Sequence, residues 1–273
     1  MNKVKTMGKL YTFLILLFLY APIFILVLFS FNASHSTSVL SGFSLRWYKE
    51  LMYDNATLEA LKNTIVLAVS SSVLATLIGT GAAVGIFQYK LKWFKSSLLT
   101  VTNIPMMNPE IVTGISMMLL FVFVGVLVDK TGVLGFTTLL IAHVTFNLPY
   151  VILSVLPKLR QTDKHLSEAA QDLGCTPLQS FFKVVLPAIM PGIITGLIMS
   201  FTLSLDDFII SYFVSGPTSQ TLPIRIFSMT KKRVTPDMYA LSSLIFITVL
   251  VLLILVNISQ VRGEKKKKAI KRI

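Results

Sequence analysis

Six apolar runs set the limits on what this chain can fold into. They cover roughly 10–31, 64–87, 101–128, 135–157, 188–213 and 239–261. Each meets the ~20 residues that a helix needs to cross a bilayer's hydrocarbon. The backbone must satisfy its own polar groups there, which a helix does. The expected fold is therefore an all-α polytopic membrane protein with six transmembrane helices. Only 14% of the 273 residues are charged and mean hydropathy is +0.76, so no soluble catalytic domain fits between the runs. The chain parses as an N-terminal segment 1–9, a membrane domain 10–261 and a basic tail 262–273.

The net charge of +13 raises the question of nucleic acid, but its placement answers otherwise. With both termini in the cytoplasm, Lys3, Lys5, Lys9, Lys90, Lys92, Lys95, Lys158, Arg160, Lys164, Lys183 and the Lys-rich tail all fall on the inner side. A cytoplasmic excess of basic residues sets orientation, and the tail reads as an anchor on anionic lipid. An RNA-binding reading has no aromatic platform to support it. Lys231, Lys232 and Arg233 are discordant, lying in an outer loop. The first run follows three lysines like a signal peptide. It is too long for one, and Ser30-Phe31-Asn32 is no cleavage site, so it reads as a retained helix.

A single cysteine, Cys175, excludes an intrachain disulfide. Three scattered histidines make a metal site improbable, and His143 reads as a helix–helix hydrogen bond. No cofactor is expected on this chain, which also has no GxxxxGK[ST] phosphate loop. Ala68, Ser71, Ala75, Gly79 and Ala82 form a small-residue stripe suited to close helix contact. Pro105 and Pro109 interrupt the third run. Ser44-Leu45-Arg46-Trp47-Tyr48 opens a short amphipathic helix at 44–53, expected on the outer water–lipid boundary.

Between the fourth and fifth runs lies a polar island, 162–187. Thr162 is the expected cap, with Asp163 in the first turn. Leu166, Ala169, Ala170 and Leu173 recur at i, i+3, i+4 and i+7, giving a short helix 163–173 with one apolar face. Gly174 suits the left-handed stop. Thr176-Pro177-Leu178-Gln179 then restarts as a capping box with proline at the first position. Leu186-Pro187 is expected to break the chain before the next membrane helix. Helices this short need a cover, either their own membrane helices or the groove of a partner.

Glu168-Ala169-Ala170, Gly174, and Phe182 through Leu186-Pro187 together resemble the EAA motif of the inner-membrane permeases of ABC importers, the MetI-like family. The resemblance runs along nearly the whole chain. It implies a bacterial inner-membrane subunit with no enzymatic activity of its own. Its expected partners are two copies of a cytoplasmic ATPase that hold ATP and Mg²⁺, a second and distinct permease, and an external substrate-binding protein. Glu168, Ala169, Ala170 and Gly174 fall on the coupling positions of that motif, and Leu166 and Leu173 complete the face. SLDDFIISYFVSGP (204–217) and TLPIRIFS (221–228) resemble the spermidine/putrescine permeases of the family, which implies a polyamine cargo. Ferric iron or thiamine in the same machine, or a channel or secondary transporter independent of an ATPase, are the alternatives.

Asp206 and Asp207 lie inside the fifth run, where an acid costs roughly 2.5–3.5 kcal/mol on the insertion scale. They either meet a cationic cargo or hydrogen-bond backbone groups at a helix break. Phe208, Tyr212 and Tyr150 offer aromatic faces to ammonium or methylene groups. Glu110, beside the prolines, is either a gate residue or a hydrated interfacial acid.

Overall fold

The computed structural model describes residues 2–34, 39–89, 91–163, 165–232, 236–251 and 254. Among them the secondary structure is helical, apart from one isolated bridge between Asn32 and Phe43. In chain order the helices are α1 (Asn2–Ser30), α2 (Arg46–Tyr53), α3 (Asn55–Gln88), α4 (Lys92–Met107), α5 (Glu110–Leu127) and α6 (Phe136–Gln161). There follow α7 (His165–Asp172), α8 (Pro177–Ser180), a π turn (Phe181–Val185), α9 (Leu186–Asp206), α10 (Ile209–Val214) and α11 (Leu222–Lys232). The last described helix is α12 (Pro236–Val251).

Among the described residues five helices are long and apolar enough to cross a membrane: Met7–Ser30, Asn55–Gln88, Glu110–Leu127, Phe136–Gln161 and Pro177–Asp206. The sixth expected run, 239–261, is described as α12 up to Val251, which is shorter than a span. Most of its remainder and the tail 262–273 lie outside the described residues, as do Lys164 and Arg233.

The helices fall into two compact units, one drawn from Met1–Glu59 and Arg225–Arg262, the other from Ala60–Ile224. In the first, α2 forms where amphipathicity predicts it, but Trp47 is buried rather than placed at a lipid boundary. Its indole N–H donates to the Asn32 carbonyl at 2.7 Å. A buried indole needs that partner. Tyr48 meets the Ser30 hydroxyl at 2.8 Å. Asp54 collects the Ala56 N–H, the Thr57 hydroxyl and, at 3.0 Å, the Arg225 guanidinium.

The second unit is built on α6 against α9, with α3 alongside. The small-residue stripe does what its spacing implies. Ala68, Ser71 and Ala75 are fully buried. A methyl on Gly79 would stand 2.8 Å from the Val151 side chain, and one on Gly192 2.8 Å from the Ser154 carbonyl. Lipid supplies no hydrophobic drive between helices, so this close approach stabilises by dispersion. Ser204 ties the three helices together, meeting Ser71 at 2.8 Å and accepting from the Asn147 amide at 2.7 Å.

The third apolar run is not one helix. It divides into α4, which starts at Lys92 and passes through Pro105, and α5, which starts after Pro109. Residues before a proline are driven to extended backbone, and Asn108 takes φ −78°, ψ 139°. The fifth run also divides, at Asp207, into α9 and α10.

Candidate functional site

The polar island folds as a rigid double turn. Thr162 is not the cap. Its hydroxyl donates back to the Lys158 carbonyl at 2.8 Å and its extended backbone closes α6. Asp163 caps instead, accepting the His165 N–H at 3.0 Å, because a carboxylate one residue nearer reaches the free N–H groups of the first turn. Glu168 sits in that turn and meets His165 Nδ1 at 2.7 Å. At the other end Gly174 takes φ +90°, a conformation open to glycine. Its N–H donates to Gln171 and the Cys175 N–H donates to Ala170, the Schellman pairing.

The restart follows at once. Thr176 and Gln179 form the expected capping box around Pro177. Ser180, fully buried, donates to the Ser167 carbonyl and pairs with its hydroxyl at 2.9 Å, which locks α7 to α8. No pattern in the sequence marked that pair. The expected break at Leu186-Pro187 is absent. Pro177–Asp206 is continuous helix: Pro187 has no N–H to donate, and it directly follows the wide π turn Phe181–Val185, in which the Leu186 N–H donates to the Phe181 carbonyl.

The apolar positions of α7 part company. Ala170 is buried against the unit, whereas Leu166, Ala169 and Leu173 face outward, Leu173 at 87% exposure. Behind the double turn lies a cavity of about 330 Å³ lined by residues including Phe87, Leu159, Gln171 and Phe181.

At the other end of α9 the two adjacent acids have different surroundings. Asp206 ends α9, is exposed, and makes no hydrogen bond or ion pair among the described residues. Asp207 turns inward and accepts from the Ser211 N–H and hydroxyl, both at 2.8 Å, and from the Ile210 N–H at 3.3 Å. Phe208 and Tyr212 pack with ring centroids 5.5 Å apart, and Tyr212 is exposed. Glu110 is the exposed first residue of α5, one turn before Gly114, which abuts Ile209 and Ile210. Tyr150 is half-buried against Phe146. Asp206 and Phe208 stand at the start of α10, Tyr212 lies within it, and Glu110 is one turn from the place where α5 meets it. His143 makes the helix–helix contact expected of it, 3.0 Å from the Ser211 hydroxyl. Among the described residues no group of three or more His, Cys, Asp or Glu could hold a metal.

Residues 75–268 match the family model described as "Binding-protein-dependent transport system inner membrane component". The chain is 38% identical over 271 residues to the putrescine transport system permease protein PotI of Escherichia coli K12, covering 98% of this chain and 96% of that one. It is 40% identical over 239 residues to the spermidine/putrescine transport system permease protein PotC of the same organism, covering 87% of each. Among solved structures it superposes on a bacterial ABC transporter that imports alginate with TM-score 0.72 at 17% identity, covering 96% and 98% of the two chains. The MetNI methionine ABC transporter gives TM-score 0.60 at 17% identity, over 78% of this chain and 97% of that one. Both likenesses speak to the fold.

Proposed function

The chain belongs to the binding-protein-dependent transport system inner membrane component family, the permease subunits of ABC importers, and from that premise we propose that its cargo is a small organic polycation, putrescine or spermidine. One observation carries the cargo reading: Asp206 stands exposed and uncommitted at a helix break, beside the Phe208 and Tyr212 rings. A polyamine is a chain of methylenes between ammonium groups. A carboxylate attracts the charge, and aromatic faces take both ammonium and methylene. The names of the relatives PotI and PotC support the same reading.

The membrane arrangement has six spans, the sixth beginning in α12, with both termini and the tail 262–273 on the cytoplasmic side. The double turn 162–187 then faces the cytoplasm. Glu168, Ala169, Gly174, Leu166 and Leu173 present α7 to a cleft in one of two partner ATPases, where ATP and Mg²⁺ are held, while Ala170 packs inward. The conduit is shared with a second, distinct permease, and cargo arrives from an external binding protein. Closure of the ATPases on ATP moves α7 and α8 together, and α9 moves with α8 because the backbone between them is unbroken helix. The conduit opens outward to take the cargo, then inward after hydrolysis. Glu110 and Tyr150 line the path beside the start of α10. Lys231, exposed and lying over the Phe227 ring, repels a polycation and suits an acidic patch on the binding protein.

Uptake of labelled spermidine by vesicles carrying the assembled complex tests the cargo. It is expected to need internal ATP and to be competed by putrescine. Uptake blind to putrescine overturns the polyamine reading. Competition by ferric iron or thiamine in its place identifies the other cargo.

A further inference from the structure

The break between α9 and α10 carries its own lock. Asp207 takes extended backbone, φ −65° and ψ 124°, and its carboxylate folds forward onto the first turn of α10. The Ser211 hydroxyl has one proton and gives it to Asp207 Oδ2 at 2.8 Å. Its oxygen is then free to accept. His143 Nε2 lies 3.0 Å from that oxygen and 3.4 Å from Asp207 Oδ2, so Nε2 carries the hydrogen. The network runs from imidazole N–H to hydroxyl to carboxylate. His143 and Ser211 are fully buried, and the Asp207 side chain is 4% exposed.

An intramembrane carboxylate survives by collecting donors, since one left bare in a medium without water is strongly disfavoured. Asp207 has its donors, and Asp206, one residue earlier, has none among the described residues. The Thr138 hydroxyl, one helical turn and a residue before His143 on α6, donates to the Val214 carbonyl at 3.0 Å, so α10 is tied to α6 at Ser211 and again at its last residue. The orientation of the break, and with it the aim of Asp206, is held by α6.

We propose that His143, acting through Ser211, is a positioning residue for the transport step: it keeps Asp207 folded into the break, so that Asp206 alone of the pair offers its charge to the passing cation. The inference rests on the polycation reading above. Without the imidazole N–H, the Ser211 hydroxyl loses the donor that orients it onto Asp207, Asp207 Oδ2 loses the N–H 3.4 Å away, and the break relaxes.

The test uses the full complex in vesicles, with His143→Leu, His143→Gln, Asp206→Asn, Asp207→Asn and the double variant His143→Leu with Asp207→Asn. His143→Leu keeps the bulk and removes the donor. It is expected to raise KM for spermidine about tenfold, the scale of one lost buried hydrogen bond. His143→Gln, whose amide N–H can still reach Ser211, is expected within about threefold of wild type on the same scale. Removing the Asp207 charge in the double variant restores most of the loss, whereas Asp206→Asn raises KM in every background. An unchanged KM in His143→Leu overturns the proposal, and so does a double variant no better than His143→Leu, since Asp207 would then itself meet the cargo. A second readout needs no cargo. On a Cys175→Ser background, labelling of Asp206→Cys by a cationic thiol reagent is expected to slow about threefold or more with His143→Leu and to persist with His143→Gln, again the worth of a hydrogen bond. Wild-type vesicles that ignore spermidine but keep this labelling pattern sink the cargo reading and leave the joint standing. Labelling indifferent to residue 143 sinks the joint.

Discussion

Leu173→Ala separates folding from partner contact. In this chain Leu173 is 87% exposed just after α7, so truncating it removes almost no internal packing. A surface change of that kind moves stability by about 0.5 kcal/mol or less. If an ATPase cleft covers the side chain, the same truncation removes about three carbon groups from a buried contact, worth ~0.8 kcal/mol each. Scaled by the exposed fraction, the loss is about 2 kcal/mol, or roughly 30-fold in the association constant. The assay is a titration of purified ATPase into permease complex in detergent or nanodiscs, with thermal unfolding of the same sample run in parallel. The expected result is association weakened on that scale with an unshifted melt. Full-strength association would refute the placement of α7 in the cleft. A lowered melt with proportionate loss of binding would show that Leu173 works inside this chain.

Three other outcomes are expected. Gly216→Ala should destabilise the permease by about 2–4 kcal/mol in a melt, because Gly216 has φ +66° and an added Cβ would stand 2.3 Å from the Leu134 carbonyl oxygen. Gly174→Ala, at φ +90° with open space around the new methyl, should cost about 1–2 kcal/mol. Equal costs would refute the close approach. Around Asp54, burial pushes the carboxyl pKa up, but the Thr57 hydroxyl, the Arg225 guanidinium and the Ala56 N–H outweigh it and hold the pKa below its ordinary value. Its contribution is therefore fully present above about pH 4 and is lost as pH falls through the depressed folded value. Asp54→Asn should remove that acid-side loss, measured as the denaturation midpoint against pH, and an unaltered acid limb would sink the assignment.

The helical spans were legible because hydrocarbon forces backbone satisfaction onto each segment separately, so the small-residue stripe at 68–82 and the capping box at Thr176 and Gln179 needed no knowledge of their neighbours. The same locality explains the misses. Thr162 and Asp163 are both good caps on paper, and the choice between them depends on where α6 ends. Leu186-Pro187 looks like a stop until the π turn before it supplies slack. Trp47 looks interfacial until Asn32 provides a buried acceptor fifteen residues earlier. Asp206 and Asp207 are indistinguishable by composition. They are told apart by Ser211 on their own segment and His143 on another, and the second lies 64 residues away in the chain, beyond any local pattern. The Ser167–Ser180 pair is of the same kind.

The unbroken stretch from Pro177 to Asp206 spans 30 residues, about 45 Å of helix at 1.5 Å per residue. One end belongs to the double turn and the other to the exposed acid. On the proposed mechanism it would serve as a drive shaft: twist applied at Ser180 would reach Asp206 without crossing a hinge of loop. Since each residue of helix advances about 100°, the extra residue in the π turn also sets the compass bearing of that carboxylate. Deleting one position between Phe181 and Val185 would leave the shaft intact and point its far end at the wrong wall.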